Sequence, residues 1–392
     1  MHYPEVRLAP GRETRLAAGH PWIYRTEVAK GEAAPGDVVR VLTSRGRFLA
    51  LGLYNPHSQL TVRLLTRRED AAIDRDFWRQ RLSHALEWRR RLLPGVEAYR
   101  AVFAEADGFP GLIVDDFAGV LVVQFLSLGL DARKLELAGL LAESLSPECI
   151  YERSDAPVRR LEGLAEAAGP LLGECPERVS INEHGLRFDV DVQRGQKTGF
   201  YLDQRENRAA IAPYCPGARV LDCFAHTGGF ALHAALYGAR EVTAVEASAE
   251  ACALGREHAA ANGLDGSVTF VTANAFDELR RLVAAKEQYD LVILDPPAFA
   301  HRREAVPGAL RGYKEINLRG LRLVRGGGFL VTCSCSGHVT ADLFHDMLRS
   351  ALADSGRRAR VAEIRSQAVD HPVLLGVGEA RYLKFFAIQV TE

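Results

Sequence analysis

The most chemically suggestive segment is Asp290-Leu291-Val292-Ile293-Leu294-Asp295-Pro296-Pro297-Ala298-Phe299. Its apolar run reads as a buried strand, and two prolines cannot continue that strand, so they fix a rigid exit. Asp295 is then held at a sheet rim, facing a pocket. A second segment, Phe224-Ala225-His226-Thr227-Gly228-Gly229-Phe230, follows another strand-like run. Its small residues allow close approach of a ligand to the backbone, and the helix that follows offers free N–H groups. The spacing is not the GxGxxG that seats a pyrophosphate; an ordinary glycine-rich turn is the plain alternative. Glu246 ends the next strand-like run, where a carboxylate can accept from both hydroxyls of a ribose, or stand as a surface acid. Asn274-Ala275-Phe276-Asp277 follows a third run. The Asn274 amide can bond an adenine edge and Phe276 can pack on the ring; a helix cap and a core aromatic fit equally well. None of this separates a nicotinamide from an S-adenosylmethionine site.

These residues need a frame that brings strand ends together. From about residue 195 the chain alternates: strands at Arg219–Phe224, Glu241–Glu246, Val268–Thr272, Asp290–Leu294 and Gly328–Cys333 are each followed by a helix. The expected helices are Thr227–Tyr237, Ser248–Asn262, Phe276–Ala285, Leu310–Leu323 and Ala341–Ser355. Such alternation means a mostly parallel sheet with helices on both faces, an α/β Rossmann-like domain over 191–392. Two final runs, Arg360–Ser366 and Arg381–Val390, joined by a short loop, place one antiparallel strand in it. Ligands of such sheets bind at the carboxyl ends of the strands, near the switch point. Residues 71–190 read as a small α+β domain: a helix near Asp76–Leu93, a hairpin over Phe109–Phe125, a helix at Asp131–Leu145 and a hairpin around Glu183-His184-Gly185. Residues 1–70 hold short β-like runs separated by turn residues, a small all-β module.

The 392 residues carry a net charge of −1, so no global basicity announces a nucleic acid. Residues 1–68, however, hold 11 Lys/Arg against five acids. No apolar run approaches the roughly 18–20 residues of a membrane helix, and the opening residues lack the basic-then-apolar pattern expected of a signal peptide. Seven scattered cysteines show neither zinc-site nor CxxC spacing; reduced thiols in a cytoplasmic protein, and no metal, are expected.

The strand order, the run Val220–Phe230, Glu246 and Asp295-Pro296-Pro297 resemble the class I S-adenosylmethionine-dependent methyltransferases. Gln196-Lys197-Thr198-Gly199-Phe200-Tyr201-Leu202-Asp203-Gln204-Arg205-Glu206-Asn207-Arg208 and Cys333-Ser334-Cys335-Ser336-Gly337 narrow this. They are similar to the RlmI-type family, bacterial 23S ribosomal RNA cytosine-5 methyltransferases. Gly19-His20-Pro21-Trp22-Ile23-Tyr24 resembles the start of that family's PUA domain, an RNA-binding β-barrel, and the middle stretch resembles its linking domain. The resemblance implies that Phe224, Ala225, His226, Thr227, Gly228, Gly229 and Glu246 line S-adenosylmethionine, with Asn274 and Ala275 at the third strand and Asp295 at the fourth. The acid usual at the third strand is Asn274 here. Lys197, Tyr201, Asp203 and Arg205 become candidates for substrate contact, or a salt-bridged surface segment.

The implied chemistry needs a thiol. Cytosine C5 is a poor nucleophile until a thiolate adds to C6; loss of the C5 proton later releases the thiolate. We expect Cys333 and Cys335 to face opposite ways, so that one alone reaches the pocket. Cys335 matches the family's Ser-Cys-Ser-Gly element and is the expected nucleophile, with Cys333 as second candidate or buried core. Asp295 is expected on the N3/N4 edge of the base, which must be single-stranded or flipped. The expected partner is 23S ribosomal RNA or its precursor, with a homodimer left open and no membrane. Two alternatives stand: methylation of an exocyclic nitrogen such as guanine N2, which needs no cysteine, and a non-catalytic RNA-binding assembly factor. A nicotinamide oxidoreductase is disfavoured by the missing GxGxxG.

Overall fold

The computed structural model describes residues 3–391. The N-terminal strands are β1 (Glu5–Leu8), β2 (Trp22–Tyr24), β3 (Val28–Gly31), β4 (Val38–Leu42), β5 (Phe48–Tyr54) and β6 (Leu60–Thr66), with a short helix α1 (Thr14–Ala17). They form one sheet in the order β2-β6-β5-β4-β1-β3, in which only β1 and β4 run parallel. Val6, Leu8, Ile23, Val39, Val41 and Val62 fill its core.

Helix α2 (Arg75–Leu92) begins at Asp74, whose side chain accepts from the Phe77 N–H. Strands β7 (Ala98–Phe103), β8 (Leu112–Phe117) and β9 (Val120–Phe125) follow. Helices α3 (Leu128–Asp131) and α4 (Lys134–Leu145) come next, and then β10 (Cys149–Ser154) and β11 (Ala167–Leu172). The five strands make a sheet ordered β11-β10-β9-β8-β7. Trp78, Leu82 and Leu86 of α2 pack with Leu137 and Leu141 of α4 onto Val114, Leu121 and Val123. Buried charge here is paired: Arg100 grips Asp115 at 2.7 and 2.8 Å, and Thr198 adds a hydroxyl at 2.6 Å.

The expectation of reduced thiols throughout is corrected. Cys149 and Cys175 form a disulfide. The pairing of β10 with β11 folds the chain back on itself, so residues 26 apart in sequence have Cα atoms 5.4 Å apart. The other five cysteines are free.

A hairpin of β12 (Arg178–Glu183) and β13 (Leu186–Asp191) leads to helix α5 (Arg205–Ala210) and the α/β sheet. That sheet alternates β14 (Arg219–Cys223), α6 (Gly229–Leu236), β15 (Glu241–Glu246), α7 (Ala249–Ala261), β16 (Val268–Thr272), α8 (Ala275–Ala284), β17 (Tyr289–Leu294), α9 (Val306–Leu323), β18 (Val324–Ser334), α10 (Ala341–Ser355), β19 (Ala359–Arg365) and β20 (Lys384–Val390). The order is β16-β15-β14-β17-β18-β20-β19, parallel except for β20, which runs antiparallel to both neighbours. The order reverses between β14 and β17, so the rims of these strands open a crevice. Leu291 to Leu294 of β17 are fully buried, as a strand covered on both faces requires. The link between β19 and β20 is not short: it spans 366–383. By internal contacts the chain divides into two compact units. One comprises 1–182, 189–202 and 369–378; the other comprises 183–188, 203–368 and 379–392.

Candidate active site

The loop after β14 is strapped to the end of β15. The N–H groups of Phe224 and Ala225 donate to the Val245 carbonyl at 2.9 and 3.1 Å, and the His226 N–H donates to Glu246 at 2.9 Å. The second Glu246 oxygen accepts from the Ser248 N–H, also at 2.9 Å. Two backbone donors therefore fix the carboxylate at the strand rim, and each oxygen keeps a lone pair for a further donor. Phe224 and His226 hold left-handed backbone, with φ of 66° and 49°. Such non-glycine strain persists where surrounding bonds impose it, and it clusters at ligand sites. Gly228, at φ 90°, precedes α6, and a Cβ there would lie 2.7 Å from the Phe270 ring. Ala225 and Thr227 are buried beneath the loop, and Gly229 packs on the Arg208 side chain.

Asn274 is exposed and caps α8: its oxygen accepts from the N–H groups of Phe276 and Asp277. The cap uses the oxygen only, so the amide NH₂ stays available to a ring nitrogen. Phe276 stands between Phe224 and Phe299, with centroids 6.1 and 5.9 Å away, and Ala275 is buried beside it.

Asp295 sits half-buried just past β17. It accepts from Gln204 at 3.0 Å, and the Gln204 oxygen accepts from Asn207 at 2.7 Å. Both amides are buried, so this chain sets the carboxylate's direction. Asp222, on β14, is fully buried; no side chain donates to either oxygen, and the N–H of Ala231 in the first turn of α6 is the polar group that faces it. Burial, then the charges of Asp295 and Glu246, push its carboxyl well above the usual range.

Positions two apart on a strand point the same way, which corrects the expectation that Cys333 and Cys335 oppose each other. Burial and the charge of Asp295 push the Cys333 thiol far up, with Gln204 bonding it and Cys335 adding to the rise. What differs is access: Cys333 is fully buried, whereas Cys335, one residue beyond the end of β18, is partly exposed. Its sulfur lies 4.0 Å from the carbonyl oxygen of Pro296, against the Asp-Pro-Pro turn. Around it Tyr313 bridges Ser336 and Ser334, at 2.9 and 3.0 Å.

The remaining expected residues have partners of their own. Lys197, exposed and at φ 54°, lies 4.4 Å over the Tyr201 ring, and Tyr201 donates to Gln196 at 2.5 Å. Asp203 is buried and accepts from Tyr382 at 2.7 Å. Arg205 is buried and paired with Glu206 at 2.9 Å. Gln204, Asn207, Asp222 and Lys384 were not singled out from sequence. Gln204 and Asn207 lay within a quoted motif, but nothing local marks them above their neighbours. Among the described residues no cluster of His, Cys, Asp and Glu suits a metal ion.

Residues 159–357 match the S-adenosylmethionine-dependent methyltransferase family model, and 6–67 match the PUA-like domain model. Among solved structures, a SAM-dependent methyltransferase from Streptococcus mutans superposes with a TM-score of 0.84 at 20% identity, covering 98% of this chain and 100% of that one. A methyltransferase complexed with SAH gives 0.85 at 21%, with the same coverage. Fold and site together define a class I S-adenosylmethionine-dependent methyltransferase. Full-length relatives narrow the class. The ribosomal RNA large subunit methyltransferase I of Klebsiella pneumoniae is 42% identical over 395 residues, covering 99% of this chain and 98% of its own. That of Escherichia coli is 41% identical, with 98% of each chain covered, and that of Alteromonas mediterranea is 40% identical, with 99% of each. The chain belongs to the ribosomal RNA large subunit methyltransferase I family.

Proposed function

We propose that this enzyme methylates C5 of a cytosine in the 23S RNA of the large ribosomal subunit, with Cys335 as nucleophile. The observation that carries the reading is the partly exposed Cys335 sulfur beside the Asp295-Pro296-Pro297 turn. S-adenosylmethionine, when bound, supplies an electrophilic methyl group next to a sulfonium charge. The residues present suit it. Asp222, Glu246 and Asp295 bring three carboxylates within electrostatic reach of each other, and Asp222 is a buried acid without a side-chain donor. A ligand bearing a sulfonium and an ammonium relieves that repulsion. Glu246 would hold the ribose hydroxyls, Asp222 the ammonium, and the Asn274 amide with Ala275 and Phe276 the adenine. The loop from Phe224 to Gly229 would lie along the ligand.

The Cys335 thiolate adds to C6 of the base and raises electron density at C5. Asp295, its direction set by Gln204, faces the N3/N4 edge, where it accepts from the N4 amino group and, once protonated, donates to N3 as negative charge develops there. After methylation a base, such as a water molecule, takes the C5 proton, its bonding pair re-forms the C5=C6 double bond, and the C6–sulfur bond breaks so that Cys335 regains its electron pair. Lys197, Tyr201, Asp203 and Arg205 are proposed on the approach path of the RNA. The PUA-like segment, residues 1–70, would grip phosphates and shape, with 71–190 as a linking domain before the catalytic domain at 191–392. We place the enzyme in the cytoplasm, with the large-subunit RNA or its precursor, and count a homodimer as compatible. Among the described residues no helix is long and apolar enough to cross a membrane.

The test is methylation of large-subunit RNA by Cys335→Ala and Cys333→Ala variants, read by nucleoside mass spectrometry. Cys335→Ala should lose 5-methylcytidine formation by at least about a thousandfold, while Cys333→Ala keeps it. Full activity in both variants would point to amino-group methylation instead, and a different methylated nucleoside would show it.

A further inference from the structure

Lys384 opens β20, opposite Ser334 in the antiparallel ladder with β18. It is 3% exposed. Its ammonium donates to two backbone carbonyls, those of Ser336 and Tyr382, both at 2.7 Å. Among the described residues it has no carboxylate partner, which is unusual for a buried charge. Two of its three N–H donors are used. The carbonyl of Ser336 belongs to the residue directly after Cys335, so the ammonium is tied to the backbone next to the nucleophile. Burial lowers the Lys384 ammonium to about 8, and the only charge opposing that fall is the Cys335 sulfur.

We propose that Lys384 is a positioning residue for the reaction: its ammonium pairs with the Cys335 sulfur and holds it as the thiolate that attacks C6. The inference rests on the reading of Cys335 as nucleophile. The pair has a simple proton balance. Thiol plus amine and thiolate plus ammonium contain the same atoms and differ only in where one proton sits, so the sulfur gains a full electron pair while Lys384 makes no covalent bond. Once sulfur has bonded to C6 its negative charge is gone and the ammonium stays on its two carbonyls. When the adduct breaks down, the same ammonium receives the departing thiolate. The site needs such a cation because its other titratable neighbours work against a thiolate. Asp295, at the end of β17, and Asp222, on β14, are acids that act on Cys333 next door; Tyr313, on α9, is a neutral phenol pushed up by burial and by Cys335; Asp203 is engaged with Tyr382. Lys384 thus brings a positive charge into this sulfur's surroundings.

A structural role alone, tying two loops through their carbonyls, is the competing explanation, and the test separates the two. Lys384→Gln keeps N–H donors for the carbonyls and removes the charge; Lys384→Arg keeps the charge. Alkylation of Cys335 by iodoacetamide, followed at that peptide by mass spectrometry across pH, reads the thiolate directly and needs no RNA. In Lys384→Gln the rate at neutral pH should fall about tenfold or more, with the profile displaced to higher pH, as expected when an opposite charge in contact range is removed. Turnover should fall in parallel, the KM for S-adenosylmethionine should hold, and Lys384→Arg should recover most of both. An unchanged alkylation profile in a folded Lys384→Gln protein overturns the proposal. If that variant does not fold, the thiolate ultraviolet absorbance of the native enzyme, taken as the difference from Cys335→Ala at neutral pH, decides instead; absence of the band overturns it. Failure of the nucleophile reading looks different: Cys335→Ala would stay active while the alkylation profile still responded to Lys384.

Discussion

Replacing Gly228 with alanine should disable the cofactor loop, and the size of the effect can be worked out. Gly228 sits at φ 90°, and an added Cβ would lie 2.7 Å from Phe270 Cζ and 3.3 Å from Cε1. Left-handed backbone costs an L-residue about 1–2 kcal/mol. The contact adds an overpacking cost of about 1–3 kcal/mol, because the same ring atoms are already packed tightly on Gly255, where a Cβ would be 2.3 Å from Cε1. The sum is about 2–5 kcal/mol, or a fall in melting temperature of roughly 4–20 °C for a unit of this size. Gly263→Ala is the control. It has φ 67° and nothing within 4 Å of its Cβ position, so it should lose only the backbone part. The loop also holds Glu246 through the His226 N–H, so, on the proposed cofactor site, affinity for S-adenosylmethionine should fall at least about tenfold in Gly228→Ala and stay unchanged in Gly263→Ala. Differential scanning calorimetry and isothermal titration measure both. Equal melting temperatures for the two variants, with native affinity in each, would refute the argument.

Gln204→Leu removes the donor that aims Asp295 and leaves the Asn207 amide facing an apolar group. The loss of a hydrogen bond to a charged group corresponds to about 10- to 100-fold in kcat; steady-state kinetics should show that loss with little change in KM for S-adenosylmethionine. Asp222→Asn should stabilise the ligand-free protein. A carboxyl raised in the folded state contributes stability below its unfolded value and loses it as pH rises through the folded value. The gain in melting temperature over the native chain should therefore be absent in acid and grow toward neutral pH, while affinity for S-adenosylmethionine falls. A pH-independent difference would argue that Asp222 is not held protonated.

Where one local signal sufficed, the elements were readable in advance. Strands β15 and β16 and helix α10 begin and end where the residue pattern places them. Strands β10 and β11 were missed for identifiable reasons. Glu152, Arg153 and Ser154 occupy buried positions of β10 as polar residues, Arg153 because it donates to the carbonyls of Val192 and Gly195. Strand β11 holds Gly169 and Pro170, which read as a turn. The short strands β1, β2 and β3 have too few residues for a period. The same division runs through the site. The glycine loop, Glu246 and the Asp-Pro-Pro turn are contiguous motifs at strand ends and could be found by inspection. Gln204 meets Asp295 across 91 residues, and Lys384 meets Ser336 across 48; such contacts exist only once the sheet order is known. Cys149 and Cys175 belong to the same class of hidden proximity.

Why one sulfur and not the other should react follows from two opposing needs. A nucleophile must be ionised, and ionisation of a thiol is opposed by burial and by neighbouring acids. It must also touch the base. Cys333 fails on both counts: it is fully buried, and Asp295 pushes its thiol further toward the neutral form. Cys335 lies one residue beyond the strand, where the chain leaves the sheet, so solvent and substrate can reach it. The carbonyl that holds the Lys384 ammonium is that of the residue directly after Cys335. The acids that would suit a methyl donor bearing a sulfonium and an ammonium make a poor site for a thiolate. A lysine carried in on the antiparallel strand β20, from outside the parallel core that builds the cofactor rims, lets both demands be met within one sheet.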